Sequence, residues 1–233
     1  MKKSLLTLAL VAASFAAVAQ KSAPATPAAT AATAAPDSYT ALLAATIQEL
    51  MSTGDPAKLK QADAKLERAA TVAPQDWLPR YYQAYARTIT AFVSKEDDDQ
   101  RDQYLNQAEA ALGQARKLGG EASELLVLQA YIYQARLSIS PMLRSMQYSK
   151  LVTETLAAAK KVNPANPRVY LVQANNLYYT PSMFGGGAEV AKPIFQEAHA
   201  RFATFKPSSV LAPNWGERQV KGRLKSYETA SAN

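Results

Sequence analysis

The sequence predicts an all-α protein, an α-solenoid of four antiparallel helix pairs followed by a C-terminal capping helix. Apolar residues recur at helical spacing through long segments that Pro, Gly and Asn separate. No segment of the 233-residue chain shows the alternation that is typical of a half-buried strand. The predicted helices lie near residues 38–53, 56–73, 76–93, 99–118, 121–139, 144–162, 166–179, 187–204 and 215–228.

Two segments precede the predicted solenoid. A positively charged start is followed by an apolar run over residues 5–18, which is short for a membrane span, and Ala17-Val18-Ala19 matches a signal-peptidase site. We therefore predict a cleaved signal peptide over residues 1–19, in preference to an uncleaved anchor, and export to the periplasm or the medium. Residues 20–37 are mostly Ala, Thr and Pro, which predicts a disordered tether.

The second helix of each predicted pair repeats one pattern, a small residue, a large apolar residue four positions later and Ala three positions after that. Spacings of four and three place these residues on one helical face, where the small ones let two helices approach closely. Each pair leaves an apolar face that only a neighbouring pair can cover, so the pairs must stack. The four sets are Ala62-Leu66-Ala69, Ala108-Leu112-Ala115, Val152-Leu156-Ala159 and Ala191-Phe195-Ala198.

Helix breakers follow the first three sets in a constant register. Each breaker stands five positions after its set, and Ala recurs ten positions after the breaker. The breakers are Pro74, Gly120 and Pro164, and the alanines are Ala84, Ala130 and Ala174.

This register resembles the tetratricopeptide repeat (TPR), whose second helix carries the same stripe and whose repeat ends in Pro. The resemblance covers residues 38–206, as a repeat domain with four helix pairs over 38–204. Successive repeats are 46, 44 and 39 residues long, against 34 in the TPR, and the Trp and Leu positions of the TPR first helix are not matched. We therefore expect an irregular, TPR-like superhelix. Residues 207–233 are predicted to form a helix that caps the last repeat, followed by a tail.

Four short segments also resemble small exported TPR-like proteins of Bacteroidetes, a group without an assigned activity. That resemblance implies the same fold and export, and it implies no reaction. The segments are Asp76-Trp77-Leu78-Pro79, Asn163-Pro164-Ala165-Asn166-Pro167-Arg168, Thr180-Pro181-Ser182-Met183-Phe184-Gly185-Gly186-Gly187 and Pro213-Asn214-Trp215-Gly216.

Composition and charge favour a binding protein. The formal charge of +7 falls to +5 when Lys2 and Lys3 leave with the signal peptide, and the basic residues are scattered, so we do not expect nucleic-acid binding. The absence of Cys excludes thiol catalysis and thiolate zinc sites, and the single His, His199, has no second His to complete a metal site. No Gly-x-Ser-x-Gly motif presents a nucleophile. We predict no catalytic residue, no cofactor, no metal, and no transmembrane span in the mature chain.

Two short segments each allow two interpretations. The acidic run Glu96-Asp97-Asp98-Asp99 lacks the ligand pattern and the central Gly of a calcium loop, so a helix cap is favoured over an ion site. The run Gly185-Gly186-Gly187 precedes a helix, where backbone N–H groups can hold an anion, but it does not match a phosphate-binding loop. A tight turn that needs positive φ is therefore favoured there.

Tyrosine is in excess, with 12 Tyr against 6 Phe. In TPR arrays the first helices line a concave groove, and Tyr suits a binding surface because it combines a large contact area with a polar tip. The TPR resemblance therefore implies a partner-binding groove, with packing of the rings between repeats as the alternative. The residues predicted to line the groove are Tyr81, Tyr85, Glu124, Tyr131, Gln134, Arg168, Asn175 and Tyr178.

These observations predict a non-catalytic scaffold or adaptor of the bacterial cell envelope that holds a peptide or helix of a partner protein in the concave groove. One alternative is a glycan or peptidoglycan hydrolase, which would need a buried pair of carboxylic acids with perturbed pKa values. Another is a sugar or other small-ligand binding protein, which would need a closed pocket.

Overall fold

The computed structural model describes residues 38–231, so the predicted signal peptide and tether lie outside the described residues. Within that range every regular element is helical and there is no strand, which confirms the predicted all-α class. The helices are α1 (Ser38–Ser52), α2 (Pro56–Val72), α3 (Leu78–Val93), α4 (Asp98–Lys117), α5 (Ala122–Ile139), α6 (Pro141–Val162), α7 (Pro167–Tyr179), α8 (Ala188–Thr204) and α9 (Glu217–Ser231), with a 3-10 turn at Ser182–Phe184 before α8.

Consecutive helices pack as antiparallel pairs, α1 with α2, α3 with α4, α5 with α6 and α7 with α8. Each second helix also contacts the first helix of the next pair, so the pairs stack in chain order. Helix α5 contacts both α3 and α7, and these three first helices run in the same direction because a second helix returns the chain between them. They form the layer from which the predicted groove residues project.

The repeated small-large-small stripe is buried where the pairs meet. Of its twelve residues, eleven are buried and Ala69 is half-buried. The recurring alanines of the first helices, Ala84, Ala130 and Ala174, are fully buried. Small side chains at these positions let the helix axes approach closely, as the sequence pattern predicts.

Acidic or amide side chains cap four of the helix starts within residues 38–231, those of α2, α4, α5 and α7. Asp97 is the N-cap of α4 and accepts a hydrogen bond from the Gln100 backbone N–H at 2.8 Å, so the acidic run lies at a helix N-terminus. Helix α6 begins at Pro141, three residues before the predicted start. Proline suits the first helical position because its missing N–H has no partner there, so the turn begins at the proline itself.

The chain after α8 turns back across the first helices before it enters α9. The Tyr82 hydroxyl donates to the backbone carbonyls of Leu211 and Ala212, each at 3.0 Å. Helix α9 then packs against α8, and its Val220 is fully buried. None of the helices within residues 38–231 is both long and apolar enough to cross a membrane.

Candidate functional site

The structure brings the eight predicted groove residues together on the layer of α3, α5 and α7. Tyr85 and Tyr178 are half-buried. The other six are buried, namely Tyr81, Glu124, Tyr131, Gln134, Arg168 and Asn175. Much of this face is therefore already covered within the chain.

The C-terminal segment, residues 205–216, supplies the main cover through Trp215. The indole Nε1–H of Trp215 donates to the Tyr81 hydroxyl at 2.8 Å. The indole ring lies nearly parallel to Tyr131, at 11° with centroids 5.4 Å apart, and 5.0 Å from the ring of Tyr85. Trp215 is itself 3% exposed, so its ring fills the space between the tyrosines of two neighbouring first helices.

A buried ion pair lies under the same segment. Arg168 Nε donates to both carboxylate oxygens of Glu124, at 3.0 and 2.8 Å, and Asn166 Nδ2 donates to Oε1 at 2.8 Å. The Tyr81 hydroxyl donates to Oε2 at 3.1 Å. Desolvation acts to lower the pKa of Arg168, but the attraction and hydrogen bonds of Glu124 outweigh it and hold that pKa above its usual value. The opposite charges of Arg168 and Glu124 thus neutralise each other inside the protein.

One nitrogen of this arginine has no hydrogen-bond partner. Arg168 Nη1 is the buried side-chain polar atom without a partner in the described range. Its guanidinium lies 4.6 Å from the ring centroid of Phe205 and 6.0 Å from that of Trp215. Contact with these electron-rich ring faces offsets part of the desolvation of the cation.

The phenols of Tyr81, Tyr85 and Tyr131 stay neutral at physiological pH. Burial raises the pKa of Tyr81, and the negative charge of Glu124 raises it further. Burial likewise raises the pKa of Tyr85, and it raises that of Tyr131 to about 12. Neutral phenols beside a neutralised ion pair can donate hydrogen bonds and stack, and they offer no general base.

The acid pair that a hydrolase would need has no counterpart in this face. Glu124 is the single buried acid among residues 38–230, and Arg168 pairs with it. Asp63 is half-buried elsewhere, and burial raises its pKa although Arg87 acts in the opposite direction. The same range holds no group of three or more His, Asp or Glu side chains arranged to bind a metal ion.

The three-glycine run before α8 forms a tight turn. Gly185 and Gly187 have φ of +80° and +109°, which favour glycine. A Cβ added at Gly186 would lie 2.3 Å from the Thr180 carbonyl oxygen. The Gly187 backbone N–H donates to the Leu177 carbonyl at 2.8 Å. The turn is therefore fixed by its own backbone hydrogen bonds, in agreement with the favoured interpretation.

A second surface is apolar and open to solvent. We call it the apolar edge, and it comprises large side chains at the start of α6 and in the connection from α7 to α8. Because α5 and α7 are parallel neighbours, the ends of both helices and the connections that follow them lie at the same edge of the layer. On this topology we group six exposed side chains in the apolar edge, namely Met142 (94%), Leu143 (86%), Met146 (93%), Tyr179 (72%), Met183 (81%) and Phe184 (72%).

Two basic side chains lie beside the apolar edge. The Arg223 guanidinium is 4.0 Å from the ring centroid of Tyr178, and its Nη2 donates to the Tyr179 hydroxyl at 3.0 Å. Lys192 Nζ lies 5.6 Å from the ring centroid of Tyr227, whose ring is 6.4 Å from that of Tyr178. Soluble proteins rarely hold several large apolar side chains together in water unless the surface binds something.

Sequence reasoning did not single out the residues of the apolar edge or Trp215 as a cover for the first helices. Met183, Phe184 and Trp215 belong to segments that carry the resemblance to small exported TPR-like proteins, and no local pattern marks them as a surface or a cover. For Met142 and Met146 a signal does exist, because two methionines four residues apart lie off the small-large-small stripe of their helix. An apolar pair away from the buried face is a reason to expect a contact surface.

Comparison with known proteins gives a match to a solved structure. No protein-family model and no curated protein sequence matches the chain. Among solved structures, the chain is similar to the HusA haemophore from Porphyromonas gingivalis, with 34% sequence identity and a TM-score of 0.73. The match covers 83% of this chain and 94% of that chain. The similarity therefore extends over nearly the whole of HusA.

Proposed function

The chain belongs to the same family as the HusA haemophore of Porphyromonas gingivalis, and from this membership we propose that it is a non-catalytic carrier of haem in the cell envelope. The observation that carries the proposal is 34% identity over 94% of the HusA chain. A haemophore binds haem and transforms nothing, so the proposal requires a binding surface and no catalytic group.

The chemistry of the described residues fits such a ligand. Haem offers a broad apolar ring system, two carboxylates at its rim and an iron atom that accepts phenolate, thioether or imidazole ligands. The apolar edge supplies exposed thioether and aromatic side chains, and Arg223 and Lys192 lie beside it. Haem is the cargo of the proposed carrier, so the protein has only to bind haem and to release it.

Export is part of the same proposal. A haem carrier meets its cargo outside the cytoplasm, and the similarity to a haemophore supports an exported protein. The signal peptide predicted over residues 1–19 would provide the route. The TPR-like register predicted from the sequence would make the carrier a modified helical repeat protein.

Partner binding in the groove of the first helices is the second candidate, and one observation bears on it. Trp215 already stacks between two tyrosines of that groove, and the carbonyls of Leu211 and Ala212 already accept from Tyr82. A partner peptide would have to replace this segment, whereas a ligand at the apolar edge displaces only water. This difference favours the haem carrier over the peptide scaffold.

Haem titration of the purified mature chain, residues 20–233, tests the proposal. We expect saturable growth of a shifted Soret band with a dissociation constant of about 1 µM or tighter. An unrelated helical repeat protein of similar size serves as the control for non-specific adsorption of haem. A chain whose haem spectrum stays that of the control at about tenfold excess protein would refute the carrier function.

A further inference from the structure

The connection between α7 and α8 presents two large apolar side chains on a fixed backbone. Met183 and Phe184 belong to the 3-10 turn, and they are 81% and 72% exposed. The three glycines that follow lock this turn through backbone hydrogen bonds to α7 and to the turn itself. The exposed pair gains nothing from burial in the folded chain, so the stability of the fold does not explain its presence in water.

We propose that the apolar edge is the surface that takes the haem ring system, with Met183, Phe184 and Tyr179 against the ring and Arg223 and Lys192 at its carboxylates. This assignment rests on the proposed function, and it adds the position of the site and the role of each side chain. Rigid presentation lowers the entropy that binding must remove, because the turn is already ordered before the ligand arrives.

The cations at the edge are free to take carboxylates. No ion pair in the described part of the chain uses Arg223 or Lys192. Arg223 is held in place by stacking on Tyr178 and by its hydrogen bond to Tyr179. A guanidinium fixed in this way still has donors for a carboxylate, which it can bind in bidentate geometry.

One acidic side chain beside this edge is Glu189, in the first turn of α8. It is exposed and lies close enough to Tyr227 to raise the pKa of that phenol, after the larger effect of burial. A carboxylate in this position repels an anionic ligand and attracts the neighbouring cations. Removing its charge is therefore expected to strengthen haem binding.

The start of α6 provides a second apolar wall. Arg144 binds Asp102 of α4 through two hydrogen bonds, which fixes the side of α6 that faces α4. Met142 and Met146 lie two residues to either side of Arg144, and hence on the opposite side of the helix. Flexible thioether side chains suit contact with a large ring because they adapt to its outline.

Surface variants of the mature chain test the position of the site. We expect the double variant Met183→Ser/Phe184→Ser to weaken haem binding by about tenfold or more, and Glu189→Gln to strengthen it by about twofold. The matched control is Val72→Ser/Val162→Ser, which removes two exposed apolar side chains from the opposite ends of their helices and should leave the affinity unchanged. Circular dichroism and thermal melting of every variant check the fold.

The test of Arg223 compares the affinities for two ligands, because a purely structural effect of the substitution would change both affinities equally. Arg223→Gln should weaken haem binding by about fivefold, and this loss should vanish when the ligand is haem dimethyl ester, whose carboxylates are blocked. An equal loss for both ligands would show that Arg223 only supports the tyrosines, and would overturn its assignment.

The outcomes separate the two proposals. A wild-type chain that binds no haem refutes the carrier function. A wild-type chain that binds haem, together with a Met183→Ser/Phe184→Ser variant of equal affinity, refutes only the position of the site. In that second case a loss of affinity in Trp215→Phe would place the ligand among the first-helix tyrosines.

Discussion

Replacing Trp215 by Ala tests whether the C-terminal segment is an integral part of the helical layer. The indole is 3% exposed, stacks on Tyr131 and donates to the Tyr81 hydroxyl at 2.8 Å. The substitution removes the ring from between two first helices. The neighbouring carbonyls of residues 211 and 212 keep their bonds to Tyr82, so the segment stays in place and a cavity remains.

The expected loss follows from two terms. Truncating a buried Trp to Ala costs about 3–5 kcal/mol, including the cavity that surrounding side chains fail to fill. The lost hydrogen bond adds about 1 kcal/mol, although the Tyr81 hydroxyl keeps its bond to Glu124. We therefore expect the free energy of unfolding to fall by about 4–6 kcal/mol. For a domain of this size the melting temperature should drop by about 8–24 °C.

Urea unfolding followed by far-ultraviolet circular dichroism measures this loss. Trp215→Phe retains a stacking ring without the indole N–H, so it should lose only about 1–2 kcal/mol. Val210→Ala changes a side chain of the same segment that is 72% exposed, and its effect should stay within about 0.5 kcal/mol. A loss below about 1 kcal/mol in Trp215→Ala would refute the packing of this segment against the first helices.

Urea unfolding of other variants checks the remaining predictions. Glu124→Gln leaves the Arg168 cation buried without its counter-charge and should cost about 3–5 kcal/mol, whereas replacing both residues by apolar ones should cost less than either single change. Gly186→Ala places a Cβ against backbone and should cost about 1–3 kcal/mol, while Gly113→Ala, in open space within α4, should be neutral or stabilising by up to about 1 kcal/mol. Hydrogen bonds from the Arg144 guanidinium of α6 lower the pKa of Asp102. The ionised Asp102 carboxylate therefore stabilises the fold at neutral pH, and this contribution is lost as the pH falls below about 4. Asp102→Asn should therefore reduce the stability at neutral pH and flatten its acid dependence, and an unchanged acid dependence would contradict this pairing.

The buried tyrosines show the limit of composition as a guide to function. Tyr81 and Tyr131 lie on the first helices, where the sequence predicts tyrosines that line a groove. Trp215 of the same chain occupies the space between these two tyrosines. A large ring with a polar tip is as well suited to packing as to binding a partner. Nothing in the local sequence distinguishes the two environments.

The helices, their pairing and the face that each second helix buries can be predicted from the amino-acid sequence alone. These features follow from local rules, because periodic apolar residues fix the buried face and Pro, Gly and capping side chains fix the ends. The stripe residues from Ala62 to Ala198 are accordingly buried with a single partial exception. The early start of α6 at Pro141 departs from the prediction by only three residues.

The cover over each helical face and the set of apolar side chains that stay in water depend on the tertiary structure. Trp215 meets Tyr81 across 134 positions of the chain, and Arg168 meets Glu124 across 44. Contacts of such separation depend on how the pairs stack, and no local pattern encodes them. Met183 and Phe184 stay exposed in the 3-10 turn after α7, and the backbone hydrogen bonds of that turn hold it in place.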